Sequence, residues 1–216
     1  MPTRIKICGI TRLQDAHLAV ELGVAAIGFN LYPLSPRYIA PEAVRGIIRQ
    51  LPPFVASVGI FANETERKHV VEVAHQAEVG IVQLHGPKFP NLDEDLDGFS
   101  LIRAVAVGPG FKPEELRSLR ANAFLLDTFD PALPGGTGKS FDWNLAREAK
   151  RYGHIILAGG LTPENVAEAV REAKPFAVDV ASGVESAPGV KDAAKLRAFV
   201  SEVERANREV GNGNRT

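Results

Sequence analysis

The chain has 216 residues, a hydrophobic fraction of 45% and a formal net charge of −1. This length fits one large domain with a sizeable core. Because acidic and basic residues are balanced and interspersed, the composition argues against nucleic-acid binding and against an anionic membrane surface. No apolar run approaches the ~20 residues of a membrane span, and we expect no signal peptide.

The chain has one cysteine, Cys8. It therefore has no intrachain disulfide, and the cytoplasm is the expected location. We predict one domain over residues 1–210. The polar, glycine-rich segment 211–216 is predicted to be a frayed tail, since it carries nothing that could pack.

Eight short apolar runs are predicted to be strands. They have little polar alternation, which is typical of parallel strands buried on both faces. The predicted strands are Ile5–Cys8, Ala26–Asn30, Ala56–Phe61, Ile81–Leu84, Leu101–Val107, Ala123–Asp127, His154–Ala158 and Ala177–Ala181.

Amphipathic stretches between these runs are predicted to be helices. They are Asp15–Leu22, Glu64–Ala77, Pro113–Leu119, Asn144–Arg151, Pro163–Ala173 and Ala193–Ala206. Alternation of strand and helix predicts a parallel α/β sheet with right-handed crossovers. An open, doubly wound sheet would share this pattern, but eight units of even size favour a closed (β/α)8 TIM barrel.

The last two strands end in turns that contain Gly159 and Gly160 in the first and Ser182 and Gly183 in the second. Glycine lets backbone N–H groups approach a ligand closely, and a following helix start favours an anion. For the first turn, Thr162 is the predicted N-cap and Pro163 the first helical residue. Paired turns at this position of a barrel predict a bound phosphate, and hence a small phosphorylated ligand.

Other short motifs fail on spacing. Gly138-Lys139-Ser140 resembles the end of a nucleotide-binding loop, but Leu133 occupies the required glycine position. Gly108-Pro109-Gly110 has no third glycine in place for a dinucleotide fingerprint. The five histidines form no i, i+4 pair, so nothing points to a metal site.

Cys8 and Asp127 each lie at the carboxyl end of a predicted strand. A lone cysteine beside isoleucines is usually a small buried hydrophobe, and an aspartate there often opens a turn. In a barrel, however, the carboxyl ends of the strands face the active site. An apolar setting would raise the pKa of Asp127, so the two residues together suggest an acid–base pair.

Two longer connections carry further candidates. Residues 31–40 include Arg37 between proline-containing turns, where it is either a solvated surface residue or a bidentate clamp for a carboxylate. The Thr128–Phe141 stretch is too long for an ordinary connection and is predicted to be a lid or a binding loop, with Asp142 capping the next helix.

Nine short motifs in chain order span nearly the whole sequence: Lys6–Thr11, Gly28–Asn30, Ser35–Tyr38, Val58–Phe61, Gln83–Gly86, Leu126-Asp127, Gly135–Trp143, Leu157–Leu161 and Val178–Glu185. Through these motifs the sequence resembles the phosphoribosylanthranilate isomerase family of tryptophan biosynthesis. Ala181-Ser182-Gly183 departs from the family's usual Ser-Ser-Gly without changing the turn.

The resemblance implies a cofactor-free Amadori rearrangement. Asp127 would be the general acid, Cys8 the general base and Arg37 the ligand of the anthranilate carboxylate. Gly159, Gly160, Ser182 and Gly183 would lie in the phosphate-binding turns, and Gln83 and His85 would line the site. Asp179 either orients a substrate hydroxyl or is a paired structural carboxylate, and the structural role is favoured.

Rival functions remain distinguishable. Ribulose-phosphate epimerase would need metal-ligand pairs, and indole-glycerol-phosphate synthase would need lysines at strand ends, whereas Lys6 lies two residues inside its strand. A sister isomerase of histidine biosynthesis has aspartate where Cys8 stands. A non-catalytic phosphate-binding sensor would not need both Cys8 and Asp127. Some family members form homodimers, and the sequence leaves that open.

Overall fold

Eight parallel strands pair in sequence order and close into a barrel in the computed structural model. The structure describes residues 1–63, 66–86, 96–128 and 142–213, with the side chains of 212 and 213 left aside. The predicted closed barrel is confirmed. Its strands are β1 (Arg4–Ile7), β2 (Ala26–Asn30), β3 (Ala56–Ala62), β4 (Ile81–His85), β5 (Ser100–Val107), β6 (Ala123–Thr128), β7 (His154–Leu157) and β8 (Ala177–Val180).

Helices cover the outside of the barrel. The α-helices within the described residues are α1 (Leu13–Glu21), α2 (Pro41–Ile48), α3 (Arg67–Ala77), α4 (Trp143–Ala149), α5 (Val166–Ala173) and α6 (Ala193–Gly213). Short 3₁₀ helices span Pro113–Ser118, Lys150–Tyr152 and Ser182–Val184. Helix α6 continues to Gly213, so the first three residues of the predicted tail are helical.

Other helices also differ from the sequence prediction, which placed the start of α3 at Glu64, whereas the helix begins at Arg67. Helix α2 was not predicted, although Pro41 begins it and Val44 and Ile47 are buried. Helix α5 begins at Val166, three residues after the predicted start, so the prediction of Pro163 as its first residue is wrong. The preceding residues form a turn in which the Thr162 hydroxyl accepts a hydrogen bond from the backbone N–H of Glu164.

The core has two layers. The larger cluster packs the outer faces of the strands against the helices, and includes Ile7, Phe29 and Leu126. A smaller cluster inside the barrel includes Val58 and Leu125. Each fully buried side chain of this size contributes about 1.5–3 kcal/mol. The inner apolar cluster closes the barrel interior, so a ligand site is confined to the strand ends.

A hairpin that was not predicted follows the last barrel strand. Strand β9 (Glu185–Ala187) pairs antiparallel with β10 (Val190–Lys191). Gly189 turns between them with φ of +76°, and a Cβ there would lie 3.0 Å from the Thr11 side chain. The hairpin therefore folds back on the carboxyl end of β1 and brings two charged side chains to it.

Candidate active site

The predicted acid–base pair lies at the carboxyl end of the barrel. Asp127 is the fifth residue of β6, and Cys8 follows β1 directly, three strands away around the sheet. Both groups feel the charges of the same two side chains, Lys6 and Asp179. The structure thus brings the two residues to one charged cluster, which the sequence did not reveal.

Lys6 and Asp179 form a buried ion pair across the β1–β8 junction, where they are partners in register. Lys6 Nζ donates to Asp179 Oδ1 at 2.8 Å, and the side chains are 3% and 9% exposed. Burial by itself lowers the pKa of Lys6, but the charges of Asp179 and Cys8 outweigh it and raise that pKa. This pairing supports the structural interpretation of Asp179. The role of Lys6 was missed by sequence reasoning.

The Cys8 thiol is close to this ion pair. Burial raises the pKa of the thiol, the Lys6 ammonium opposes that rise, and Asp179 adds to it. A Cβ on Gly28 would lie 3.2 Å from both Cys8 Sγ and Lys6 Nζ. Gly28 therefore leaves the space in which these two groups meet, and thiolate formation depends on Lys6.

Asp127 has the electrostatics of a general acid. Burial and the charge of Asp179 raise the pKa of its carboxyl group to about 6, against opposing effects of the Thr128 backbone and Lys6. A carboxylic acid of this kind is partly protonated near neutrality and can donate a proton. Gly159, with φ of +83°, packs beside it, since a Cβ there would overlap Thr128 and lie 2.9 Å from Asp127 Oδ1.

The two predicted phosphate turns pack backbone against backbone. A Cβ on Gly183 would overlap the carbonyl oxygen of Leu161, so only glycine fits between the turns. Asn165 braces the first turn: its side-chain amide donates to Gly160 O at 2.9 Å, and its Oδ1 accepts from the Thr162 N–H at 2.8 Å. Leu161, the residue after Gly160, thus lies against Gly183, which belongs with Ser182 to the 3₁₀ helix.

Arg37 is held by the protein itself. Its Nε donates to Glu185 Oε1 at 2.9 Å, its Nη2 donates to Oε2 at 2.7 Å, and its side chain is 21% exposed. Its loop is anchored by an isolated bridge between Asn30 and Tyr38. Gly9 lies beneath it, because a Cβ there would be 2.6 Å from Arg37 Cδ. Arg37 therefore reaches the site already bound to one carboxylate, which the sequence did not reveal.

Gln83 and His85 line the interior on β4. Burial and the charge of Lys6 lower the pKa of His85 to about 4, so its imidazole is neutral near pH 7. Gln83 Nε2 lies 2.6 Å from His85 Nε2, and because an amide nitrogen can only donate, this contact requires the imidazole proton to be on Nδ1. Gln83 Oε1 is buried without a partner among the described residues.

The remaining predictions concern a loop, metals and membranes. Except for Thr128, the predicted lid lies outside the described residues, but Asp142 does cap α4 by accepting a hydrogen bond from the Asn144 N–H at 3.0 Å.

In the part of the chain that the structure describes, no group of three or more acidic, histidine or cysteine side chains could hold a metal. No described helix is long and apolar enough to cross a membrane.

Comparison with known proteins places the chain in a family. The model of the family N-(5'phosphoribosyl)anthranilate (PRA) isomerase matches residues 5–202. The chain belongs to this isomerase family. An N-(5'-phosphoribosyl)anthranilate isomerase of Trichlorobacter lovleyi is 48% identical to it over 204 residues, which is 94% of this chain and 98% of the relative.

Solved structures of the isomerase family share the fold. A phosphoribosylanthranilate isomerase in complex with reduced 1-(o-carboxyphenylamino)-1-deoxyribulose 5-phosphate is 39% identical, with a TM-score of 0.80. Monomers of a dimeric isomerase from Thermotoga maritima are 36% identical, with a TM-score of 0.76. Each comparison covers 94% of this chain and 99% of the other.

The packing of Gly159 against Asp127 leads to a first prediction. Gly159→Ala should lower the isomerase kcat by on the order of 100-fold, because the added methyl displaces the carboxyl group from its working position. Gly23→Ala is the matched control, since Gly23 also has positive φ but has nothing within 4 Å of a Cβ. Both variants share the backbone strain, and only the first should lose kcat in steady-state assays. Equal losses would contradict the role of Gly159.

Proposed function

We propose that the protein is a cytoplasmic isomerase of tryptophan biosynthesis that converts N-(5-phosphoribosyl)anthranilate to 1-(2-carboxyphenylamino)-1-deoxyribulose 5-phosphate. The observation that carries this proposal is the pairing of a thiol and a carboxylic acid of raised pKa around one buried ion pair, beside two glycine turns. Membership of the isomerase family supports the same conclusion. The reaction is an Amadori rearrangement, driven by general acid–base catalysis.

Asp127 begins the reaction as the general acid. It gives its proton to the ring oxygen of the ribose, and the bond between that oxygen and C1 breaks. The nitrogen lone pair forms the C1=N bond of an iminium ion. A pKa of about 6 suits this step, because the acid is strong enough to donate and is still partly protonated near neutrality.

Cys8 continues the reaction as the general base. Its thiolate removes the proton from C2, which the adjacent iminium makes acidic. The released electron pair forms the C1=C2 bond while the C1=N electron pair returns to the nitrogen, which gives an enolamine. The enolamine then loses its hydroxyl proton and gains one at C1, giving the ketone. Lys6 stabilises the thiolate that this step needs, because its ammonium opposes the rise in the thiol pKa.

Other residues bind the substrate. Gly160, Ser182 and Gly183 hold the phosphate through backbone N–H groups, and the packing of the two turns supports this role. Arg37 holds the anthranilate carboxylate, as its guanidinium lies at the mouth of the barrel. Gln83 and His85 line the ribose site.

Asp179 acts mainly through Lys6. Its Oδ1 accepts a hydrogen bond from Lys6, which supports a positioning role over direct contact with the sugar.

The lid over residues 128–141 stays a prediction. Closing it would exclude water, which matters because an exposed iminium would hydrolyse.

The assigned roles predict large losses of turnover. Cys8→Ser and Asp127→Asn should each lower kcat about 10²–10⁴-fold, since each removes one proton-transfer group. The loss of substrate fluorescence, with substrate formed in situ from anthranilate and phosphoribosyl pyrophosphate, measures the rate. Asp97→Asn is the control for the loss of a carboxylate, because Asp97 is exposed and pairs with His75 at 3.3 Å. Near-normal turnover in both catalytic variants would contradict the roles assigned to Cys8 and Asp127, whereas a wild-type protein without turnover would favour a non-catalytic binding protein.

The two pKa shifts also predict the pH dependence of kcat/KM. The reactive form needs Asp127 protonated, which holds below about pH 6, and Cys8 ionised, which holds above its raised pKa. At pH values between the pKa of Asp127 and the pKa of the Cys8 thiol, the protonated fraction of Asp127 falls tenfold per pH unit while the thiolate fraction of Cys8 rises tenfold. The fraction of enzyme in the reactive form is the product of these two fractions and is therefore constant, so kcat/KM should show a plateau.

Both limbs of this profile have a defined sign. Below about pH 6 the rate should fall, because Asp127 is already protonated and the thiolate still declines. Above the thiol pKa it should fall again, because the thiolate is complete and protonated Asp127 still declines. Initial rates across pH 5–10 would test this. A decline that begins below the ordinary thiol pKa of about 8.5 would contradict it.

We also propose that the protein self-associates as a homodimer. Phe54 is 99% exposed in the connection between α2 and β3, at the end of the barrel opposite the acid–base pair. Its φ of +75° is rare for a bulky residue, so the backbone presents this ring to solvent at an energetic cost. A fully exposed, strained aromatic residue supports burial in a second subunit.

Self-association can be tested at this residue. Phe54→Ser should shift the protein toward monomer, because it removes the aromatic contact from the interface. Light scattering of a dilution series measures the molar mass. Leu34→Ser is the control, since Leu34 is also exposed, at 80%, but lies in the connection after β2 at the opposite end. A wild-type protein that is monomeric at tens of micromolar would refute the homodimer.

A further inference from the structure

We infer that Glu185 and Lys191 are positioning residues, which orient the Arg37 guanidinium so that one edge of it stays available for the carboxylate of the substrate. Neither residue was assigned a role by sequence reasoning. The inference rests on the proposed function for the identity of that carboxylate, and it deepens the account of substrate recognition at the same site.

Glu185 is the centre of this arrangement. Its Oε1 accepts from Arg37 Nε at 2.9 Å, from Lys191 Nζ at 2.9 Å and from the Gly189 N–H at 3.2 Å. Its Oε2 accepts from Arg37 Nη2 at 2.7 Å. The carboxylate is buried, and these contacts keep it ionised, with its pKa below the usual range despite the opposing effect of burial. Its orientation is fixed from several sides.

The geometry leaves Arg37 one edge for a ligand. A guanidinium carries five N–H bonds in a plane and presents a side edge, formed by Nε and Nη2, and an end edge, formed by Nη1 and Nη2. Glu185 occupies the side edge. The end edge retains one N–H from each terminal nitrogen, which is the parallel pair that a second carboxylate accepts.

Lys191 links this clamp to the rest of the site. Its side chain is 0% exposed, and its Nζ has three acceptors: Cys8 O at 2.6 Å, Ala181 O at 3.2 Å and Glu185 Oε1. An ammonium has three N–H bonds, so all are used within the protein. The buried Lys191 ammonium therefore connects three parts of the site. It binds the backbone of Cys8, the backbone of Ala181 just before the second phosphate turn, and Glu185, the partner of Arg37.

The charges of the three side chains fit a single anionic ligand. Arg37 and Lys191 contribute two positive charges and Glu185 one negative charge, which leaves one net positive charge at the clamp. Lys191 faces the interior and Arg37 is the partly exposed member. The remaining charge is thus presented through Arg37.

The hairpin that carries both residues is itself anchored. The Lys191 N–H donates to Asp15 Oδ2 at 3.1 Å, and the Asp192 N–H donates to Val184 O at 2.9 Å. The Thr11 hydroxyl donates to Gly189 O at 2.5 Å. Because α1, the residues after β1 and the 3₁₀ helix after β8 all hold the hairpin, it can impose an orientation on Arg37.

The test compares two ligands in wild type and in Glu185→Gln. One probe is reduced 1-(o-carboxyphenylamino)-1-deoxyribulose 5-phosphate, and the other is the same compound without its carboxyl group. In the variant, affinity for the first should fall about tenfold or more, the range for a charged hydrogen bond, while affinity for the second stays unchanged. KM for the substrate should rise with kcat within a few-fold.

Two further variants complete the design. Glu78→Gln is the matched control, because exposed Glu78 accepts from Arg49 through the same side edge, with Nε to Oε2 at 3.0 Å. It should change neither affinity. Glu185→Asp keeps the charge but shortens the reach, so it should give the same carboxylate-selective loss to a smaller degree. This variant tests the inference even if Glu185→Gln does not fold.

Three outcomes would overturn the inference. Tighter binding of the carboxylate ligand in Glu185→Gln would mean that Glu185 competes with the substrate for Arg37. Equal losses for both ligands would mean a structural role only, and no change for either would mean no role. A wild-type protein that does not turn over the substrate would instead refute the proposed function, so the two failures are distinguishable.

Discussion

The buried ion pair between Lys6 and Asp179 is the interaction on which the site depends. It joins the first and last strands of the barrel, and both charges lie out of water. A buried pair of this kind adds little to stability relative to apolar residues, and breaking one partner is costly. Its value here is electrostatic. Asp179 raises the pKa of Asp127, and Lys6 counters the rise in the thiol pKa of Cys8, so one pair adjusts both proposed proton-transfer groups.

The barrel could be predicted because parallel strands buried on both faces appear as apolar runs. The eight predicted runs match the strands to within one residue at each end, from β1 to β8. Features with weaker patterns were missed. Helix α2 is short and contains Gly46, which lowers helix propensity. The β9–β10 hairpin has only five strand residues, and it is held by contacts with Thr11 and Asp15 that are more than 170 residues away in the sequence.

The same distinction applies to the site. Cys8 and Asp127 were predictable because a strand end is a local feature, and the ends of parallel strands share one face of a barrel. Lys6, Glu185 and Lys191 were not, because their roles depend on partners distant in sequence: Lys6 lies 173 residues from Asp179, Glu185 lies 148 residues from Arg37, and Lys191 lies 183 residues from Cys8. Charged residues in such positions are indistinguishable from surface charges until the fold is known.

The central claim is that Asp179 helps to set the protonation of Asp127. Infrared or carbon-13 NMR titration of the Asp127 carboxyl group, in wild type and in Asp179→Asn, measures this directly. The account predicts a pKa of about 6 in wild type. It predicts a lower value in the variant, because the negative charge of Asp179 is removed while Lys6 remains. A wild-type pKa near the ordinary aspartate value of about 3.9, or no change in the variant, would contradict it.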